Sequence, residues 1–513
     1  MNGNIKILDC TLRDGGYYTD WDFSKNIVNN YIQATNSLPI DYLELGYRNK
    51  PSKNYLGMYG YCPVFELEDI RCKSTKKLAV MLNEKSTTLD DLDDLLDPVK
   101  GLVDMIRMAV DPKEFDRALV LAEEIKKRGF EVGFNTMYMS KWSEYNGFLP
   151  KLGNINGIVD VFNMVDSYGG VTPEDVKEIT TIVKSNTTVP IGFHGHNNLQ
   201  LALINALIAI ESGADYIDAT ILGMGRGAGN LQMELLLTYI NRHCNVEVDF
   251  NVLGNVISAF TPLMEKYQWG TNLPYMLSGA NSLPQQDVMD WVSNRVYSFN
   301  SIVRALDNRK EKIEDNAKYP IFNSPTFKKV LIIGGGDNAV NHIDGIKAYI
   351  GQQDSIALVH ATARNAFYYK DLNVPQFFCL VGSEGKRLVT NWGEDEFSAT
   401  CILPPYPRTM GTEVPDFVQK EVYELSEITF TQSYKDSCTT IALQTALMLS
   451  EDAVMIVGYD GYPGNVLSEK EMALTNENRA LFEDYKKKVG HRLLSLTPSL
   501  YKELEIKSIY QYI

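Results

Sequence analysis

Two histidines one residue apart, His194 and His196 in Gly192-Phe193-His194-Gly195-His196-Asn197-Asn198, carry the strongest chemical signal in this chain. In an extended strand residues i and i+2 point to the same side, so this spacing aims both imidazoles at one point, as a divalent metal site requires. Only six histidines occur in the chain, which makes the pairing informative. A second cluster, Asp9-Cys10-Thr11-Leu12-Arg13-Asp14-Gly15-Gly16, directly follows the apolar run Ile5-Lys6-Ile7-Leu8 and supplies negative charge. One carboxylate with two imidazoles half-fills an octahedral shell and leaves positions open for water and substrate, a set that suits divalent Mn, Fe, Co or Zn. Asp14 is the expected third ligand. Arg13 beside it is either an ion-pair partner or, more usefully in a metal site, the group that stabilises a developing enolate oxyanion.

Further polar residues fall at the ends of short apolar runs. Gly223-Met224-Gly225-Arg226-Gly227-Ala228-Gly229-Asn230 is a tight turn that allows close backbone approach to a site, with Asn230 near the metal shell. Asp166-Ser167-Tyr168-Gly169-Gly170 offers Ser167 as a substrate contact, and Glu44 is either a direct participant or an anchor for Arg13.

Positioning these groups requires a scaffold that gathers strand ends. Strand-like runs alternate with helical patterns to about residue 245: Ile5–Leu8, Tyr42–Leu45, Leu78–Leu82, Met105–Met108, Glu131–Asn135, Val159–Met164, Ile191–His194 and Tyr216–Ile221. Eight strand-helix units predict an α/β fold, a (β/α)8 TIM barrel whose site lies at the C-terminal strand ends. Arg13, Asp14, Glu44, Arg107, Asn135, Asp166, Ser167, His194 and His196 all fall there. The expected domains are a barrel over 1–245, a helical extension and linker over 246–320, and a Rossmann-like α/β domain of uncertain role over 326–513. The last begins with Lys329-Val330-Leu331-Ile332-Ile333 running into Gly334-Gly335-Gly336, with further strands expected at Ser355–Val359, Phe377–Val381 and Ala453–Val457 and a helix at Thr439–Leu449. Gly334 and Gly336 form a variant dinucleotide fingerprint. The acidic residue expected about 20 positions on is replaced by Val359-His360-Ala361-Thr362, which leaves a phosphate or nucleotide at the helix N-terminus as the expectation.

The 513 residues are 44% hydrophobic and 22% charged, the composition of a globular protein, and the net charge of −16 argues against nucleic-acid or anionic-membrane partners. Seven scattered cysteines without a C-x-x-C pair indicate neither a disulfide framework nor a zinc ribbon. No apolar stretch reaches the length of a membrane span, and a cytoplasmic protein, acting on small molecules as a homo-oligomer, is expected.

Thr11-Leu12-Arg13-Asp14-Gly15, His194-Gly195-His196-Asn197 and Gly227-Ala228-Gly229-Asn230 resemble the signatures of the DRE-TIM metallolyase superfamily. That group comprises 4-hydroxy-2-oxovalerate aldolase, hydroxymethylglutaryl-CoA lyase, and the isopropylmalate, homocitrate and citramalate synthases. Asp166-Ser167, the glycine-rich turn and Pro274-Tyr275-Met276-Leu277 are most similar to the aldolases, over about residues 1–300. The resemblance implies Asp14, His194 and His196 as ligands of a divalent ion, manganese foremost with magnesium, cobalt or zinc as alternatives. It implies Arg13 as the stabiliser of a pyruvate enolate, and cleavage of a 4-hydroxy-2-oxoacid into pyruvate and an aldehyde. Where those aldolases commonly place a catalytic histidine, this chain has Gly15-Gly16-Tyr17-Tyr18, and no histidine precedes His194. Tyr17, Tyr18, Tyr275 or a metal-bound hydroxide is left to take the proton, although an ordinary tyrosine has a pKa of about 10 and needs activation. The expected catalytic set is Arg13, Tyr17, Glu44, Ser167 and Tyr275. The additional residues 326–513 mean that the aldolases' partnership with an acylating aldehyde dehydrogenase does not carry over. Ser437-Cys438-Thr439-Thr440 with Ile456-Val457-Gly458-Tyr459-Asp460 is weakly similar to a Rossmann-like family that includes hydroxymethylpterin pyrophosphokinase-like proteins. The alternatives are an acetyl-CoA-dependent Claisen synthase and a non-catalytic nucleotide-sensing protein.

Overall fold

In a computed structural model the described residues are 5–53, 55–294, 299–312, 318–323, 325–393, 397–408, 412–418, 421–435, 437–463, 467 and 469–513. They form two compact units, Met1–Met289 and Asp290–Ile513. The boundary expected between Asn316 and Pro325 lies partly outside the described residues.

The first unit is a closed barrel of eight parallel strands in sequential order: β1 (Lys6–Asp9), β2 (Tyr42–Tyr47), β3 (Lys77–Leu82), β4 (Met105–Val110), β5 (Glu131–Thr136), β6 (Val161–Asp166), β7 (Ile191–Gly195) and β8 (Tyr216–Ala219). Alternation along each strand divides the side chains between two cores. Ile7, Leu43, Leu45, Leu78, Val80, Ile106, Met108, Val132, Phe134, Phe162, Phe193 and Ile217 face outward into the layer that the surrounding helices cover. Leu8, Cys10, Tyr42, Ala79, Met105, Val161 and Tyr216 fill the barrel interior. One register step further toward the C-terminal ends, the same inward alternation places Glu44, Arg107, Asn135, Asn163, His194 and Asp218, so a polar layer caps the apolar one.

Two glycines make room for that layer. A Cβ at Gly133 would lie 2.9 Å from Arg107 Cγ, and a Cβ at Gly192 would collide with Asn163 Oδ1. The run after β8 is also shaped by glycine: Gly227 and Gly229 have φ of +65° and +77°, conformations that side-chain-bearing residues rarely adopt. Helices at Phe250–Tyr267 and Leu273–Ala280 follow the barrel.

The second unit carries an eight-stranded parallel sheet in the order β13-β12-β11-β10-β9-β14-β15-β16. Its strands are β9 (Phe327–Ile333), β10 (Ile356–His360), β11 (Gln376–Cys379), β12 (Thr400–Leu403), β13 (Val422–Glu424), β14 (Ser450–Val457), β15 (Leu494–Ser495) and β16 (Glu505–Ile506). The chain runs outward from β9 to β13, then returns to the other side of β9 through β14, which is a doubly wound arrangement with its switch between β9 and β14. Among the described residues no helix is long and apolar enough to cross a membrane.

Candidate metal centre and active site

The helix Thr11–Thr19 begins directly after β1, so Arg13 and Asp14 fall in its first turn and are buried over the mouth of the barrel. Gly15 and Gly16 permit this approach, because a Cβ at Gly15 would sit 2.5 Å from Met224 Sδ and one at Gly16 would strike the Trp21 ring. His194 is the penultimate residue of β7 and His196 lies one step beyond the strand, with their ring centroids 5.1 Å apart.

A closed ring of charge surrounds the throat. Arg13 Nε donates to Glu44 Oε2 at 2.8 Å, and Arg107 Nη1 reaches the same oxygen at 3.3 Å. Arg107 Nη2 donates to Asp218 Oδ2 at 2.6 Å, and that oxygen also meets His194 Nδ1 at 3.0 Å. His194 Nε2 faces Asp14 Oδ2 at 3.5 Å, and Asp14 returns to Arg13 through its other oxygen. Two guanidiniums face three carboxylates around the His194 imidazole. Every member is buried, and breaking one such pair costs about 3–5 kcal/mol.

Burial opposes ionisation of Asp14, but the Arg13 guanidinium and the two imidazoles override it and hold the carboxyl below its ordinary value. Burial, helped by His194, pushes the His196 imidazole down to about 3, so it is neutral and its lone pair is available. His196 Nδ1 is engaged by the Asp166 carbonyl at 2.8 Å, which leaves Nε2 as its free nitrogen. Asp218 and the Asp166 carbonyl therefore orient the two imidazoles as outer partners commonly do in metal sites. Asn230 donates from Nδ2 to Asp14 Oδ2 at 2.6 Å, while its Oδ1 is buried without a hydrogen-bond partner. A divalent cation fits this donor set: the free imidazole nitrogens, the Asp14 carboxylate and the orphaned Asn230 oxygen are hard or borderline donors, and the ring carries compensating charge.

Cys10 Sγ also lies near, grouped with His194 and Asp218 within 4.8 Å. Burial holds its thiol well above the usual range, and Asp218 is already engaged by Arg107, so this trio is a poorer ligand set than the one built on Asp14.

The remaining expected residues take distinct places. Glu44 is fully buried between Arg13 and Arg107 and anchors both, without reaching the open mouth. Ser167 Oγ accepts from the Tyr138 backbone N–H at 2.8 Å and so fixes the loop after β5. Tyr275 is buried in the helix Leu273–Ala280, and its carbonyl accepts from Asn198 at 2.8 Å; its ring edge would be 3.2 Å from a Cβ at Gly227. Tyr17 and Tyr47 hydroxyls lie 3.4 Å apart at the mouth. Tyr18 donates its hydroxyl to the Gly227 carbonyl at 3.2 Å, and burial raises its phenol to about 12. Gly334 and Gly336 pack against the Gly458 carbonyl and Asp460, and Asp460 Oδ2 accepts from the Asn338 N–H at 2.9 Å. A carboxylate thus already holds the backbone donor at which an incoming phosphate was expected. Asp218, Tyr47, Tyr138 and Arg226 were not singled out from the sequence as site residues; for Asp218 the signal was present, an acidic residue at an inward position of Tyr216-Ile217-Asp218-Ala219.

Residues 106–258 match the HMGL-like family. A 4-hydroxy-2-oxovalerate aldolase from Geobacillus genomosp. 3 is 34% identical over 243 residues, which is 46% of this chain and 71% of that protein. An oxaloacetate decarboxylase from Mycobacterium tuberculosis is 27% identical over 237 residues, 46% of this chain and 70% of that protein. Among solved structures, the N-terminal domain of a Bacteroides vulgatus protein provisionally named an aldolase is 67% identical, covers 59% of this chain and all of that domain (100%), and superimposes with a TM-score of 0.57.

Proposed function

Because the chain belongs to the HMGL-like lyase family that includes the 4-hydroxy-2-oxovalerate aldolases, we propose that it is a divalent-metal-dependent aldolase that cleaves a 4-hydroxy-2-oxoacid to pyruvate and an aldehyde. The observation that carries this reading is the convergence of Asp14, His194, His196 and the orphaned Asn230 oxygen beside Arg13. Manganese is the proposed ion, the cytoplasm the proposed compartment and a homo-oligomer the proposed assembly.

Asp14, His194 and His196 would hold a divalent ion, which when bound would supply Lewis acidity for the 2-oxo group. The side chains do the rest. Arg13 spends Nε on Glu44 and Nη1 on Asp14, and its second terminal nitrogen has no partner among the described residues. That nitrogen donates to the enolate oxygen as negative charge develops there. Glu44 and Arg107 fix the guanidinium, so little reorganisation accompanies the reaction. Tyr17 accepts the 4-hydroxyl proton as the C3–C4 bond breaks. Burial holds the Tyr47 phenol well above its usual range, so Tyr47 keeps its proton and is placed to donate a hydrogen bond to the Tyr17 oxygen. Tyr18, already committed to Gly227, is not placed for this task.

The test is pyruvate release from a panel of 4-hydroxy-2-oxoacids and oxaloacetate, with chelated, manganese-restored and His196→Ala enzyme. Release from a hydroxyoxoacid that is lost on chelation, restored by manganese and absent in the variant is expected. Release from oxaloacetate alone would replace aldol cleavage with decarboxylation.

A further inference from the structure

Arg226 is the one strongly polar side chain in the glycine-rich turn after β8. The flanking glycines hold its backbone close to the site: a Cβ at Gly225 would lie 2.7 Å from the Asn230 amide nitrogen, and Gly227 has a φ of +65°. Its neighbour Met224 is buried and packs on Gly15, whereas the Arg226 guanidinium lies 5.4 Å from the centroid of the Tyr17 ring. Arg226 Nε is buried without a hydrogen-bond partner, and the guanidinium makes no ion pair among the described residues. Arg13 and Arg107, the other two guanidiniums at the throat, are each paired with two carboxylates. The charge of Arg226 bears on His196 and Tyr138.

The shelf beside it repeats the pattern. Tyr138 stacks on Tyr168 with ring centroids 5.5 Å apart, and the Lys141 ammonium, with no ion pair among the described residues, lies 5.2 Å from the Tyr168 centroid. Asp111 and Glu144 are the carboxylates whose charge is felt by these phenols, and neither pairs with Arg226. Arg226 is half-buried, and its buried Nε has no partner, so an anion from substrate would supply the acceptor it lacks.

We propose that Arg226 binds an anionic group carried beyond C4 of the hydroxyoxoacid, so that the native aldehyde product is itself an anion, a carboxylate or a phosphate ester. This rests on the aldolase reading above and names the substrate class for the same site. In the cleavage direction the C2 oxygen faces Arg13, C4 faces Tyr17, and the substituent extends over the Tyr17 ring to the guanidinium. A planar, forked donor set suits either oxyanion.

The experiment measures kcat/KM for pyruvate release from three substrates. One has a methyl group on C4, one a carboxylate on C4, and one a phosphate ester on a longer C4 chain; wild-type, Arg226→Gln and Arg226→Lys enzymes are compared. The wild type should prefer an anionic substrate over the methyl one by about 30-fold or more. Arg226→Gln should collapse that ratio, Arg226→Lys should keep part of it, and whichever anion is preferred identifies the oxyanion. Equal rates on anionic and neutral substrates, or an Arg226→Gln loss of equal size on all three, would overturn the inference while leaving the aldolase intact. Absence of pyruvate from every substrate with metal bound would overturn both.

Discussion

Tyr17→Phe is expected to lower kcat for cleavage by about 10²–10⁴-fold while metal content and thermal transition stay near wild type. The hydroxyl removed is partly exposed at the mouth and makes one weak contact, with Tyr47 at 3.4 Å, so its loss costs little folding energy. Its chemical loss is large because no imidazole stands on this side of the site and the Tyr18 hydroxyl is held by the Gly227 carbonyl. Tyr47→Phe should reproduce part of the effect, since it removes the hydroxyl placed to donate to the Tyr17 oxygen. Tyr18→Phe should show only the consequence of losing one hydrogen bond to a loop. Steady-state kinetics on the three variants, with bound metal measured in each, checks the assignment; a Tyr17→Phe enzyme with wild-type kcat would remove Tyr17 from the chemistry.

Arg13→Lys is the second large effect, a fall in kcat of about 10²–10³-fold. A lysine can offer a charge but not a planar fork that binds Glu44 and Asp14 while presenting a further donor to substrate. The loss should appear in kcat more than in KM, because the enolate charge exists only after bond cleavage begins. Measurement of kcat and KM alongside metal affinity separates this role from a merely structural one. A variant that loses metal but retains wild-type kcat when saturated with manganese would show that Arg13 only supports Asp14.

The barrel was legible in the sequence because each strand alternates between a helix-facing core and a barrel interior, and because polar residues cluster at the C-terminal strand ends. Eight parallel strands occur where eight were expected, with ends shifted by a few residues. The H-x-H spacing and the Arg13-Asp14 pair marked the throat in the same way. Asp218 was harder to see, since its role is defined by contacts with His194 and Arg107 from distant strands, and one carboxylate in a four-residue strand looks like any other. Arg226 carries no sequence signal of its own, because an arginine inside a glycine-rich turn reads equally well as an exposed loop residue. In the second unit the strands at 400–403, 422–424, 494–495 and 505–506 escaped notice because runs of two to four residues carry no readable period. The glycine fingerprint after β9 was equally ambiguous: glycines that admit a phosphate also admit the close approach of Gly458 and Asp460, and the latter is what the structure contains.

The central claim, that Asp14, His194 and His196 hold a divalent ion which together with Arg13 stabilises a pyruvate enolate, is tested most directly without knowing the aldehyde. Pyruvate is incubated with the full chain in D2O and the methyl-proton signal followed by NMR, for chelated, manganese-restored and His196→Ala protein. Exchange that disappears on chelation, returns with manganese and is absent in the variant is expected. Manganese-loaded wild-type protein that leaves the methyl protons untouched would contradict it.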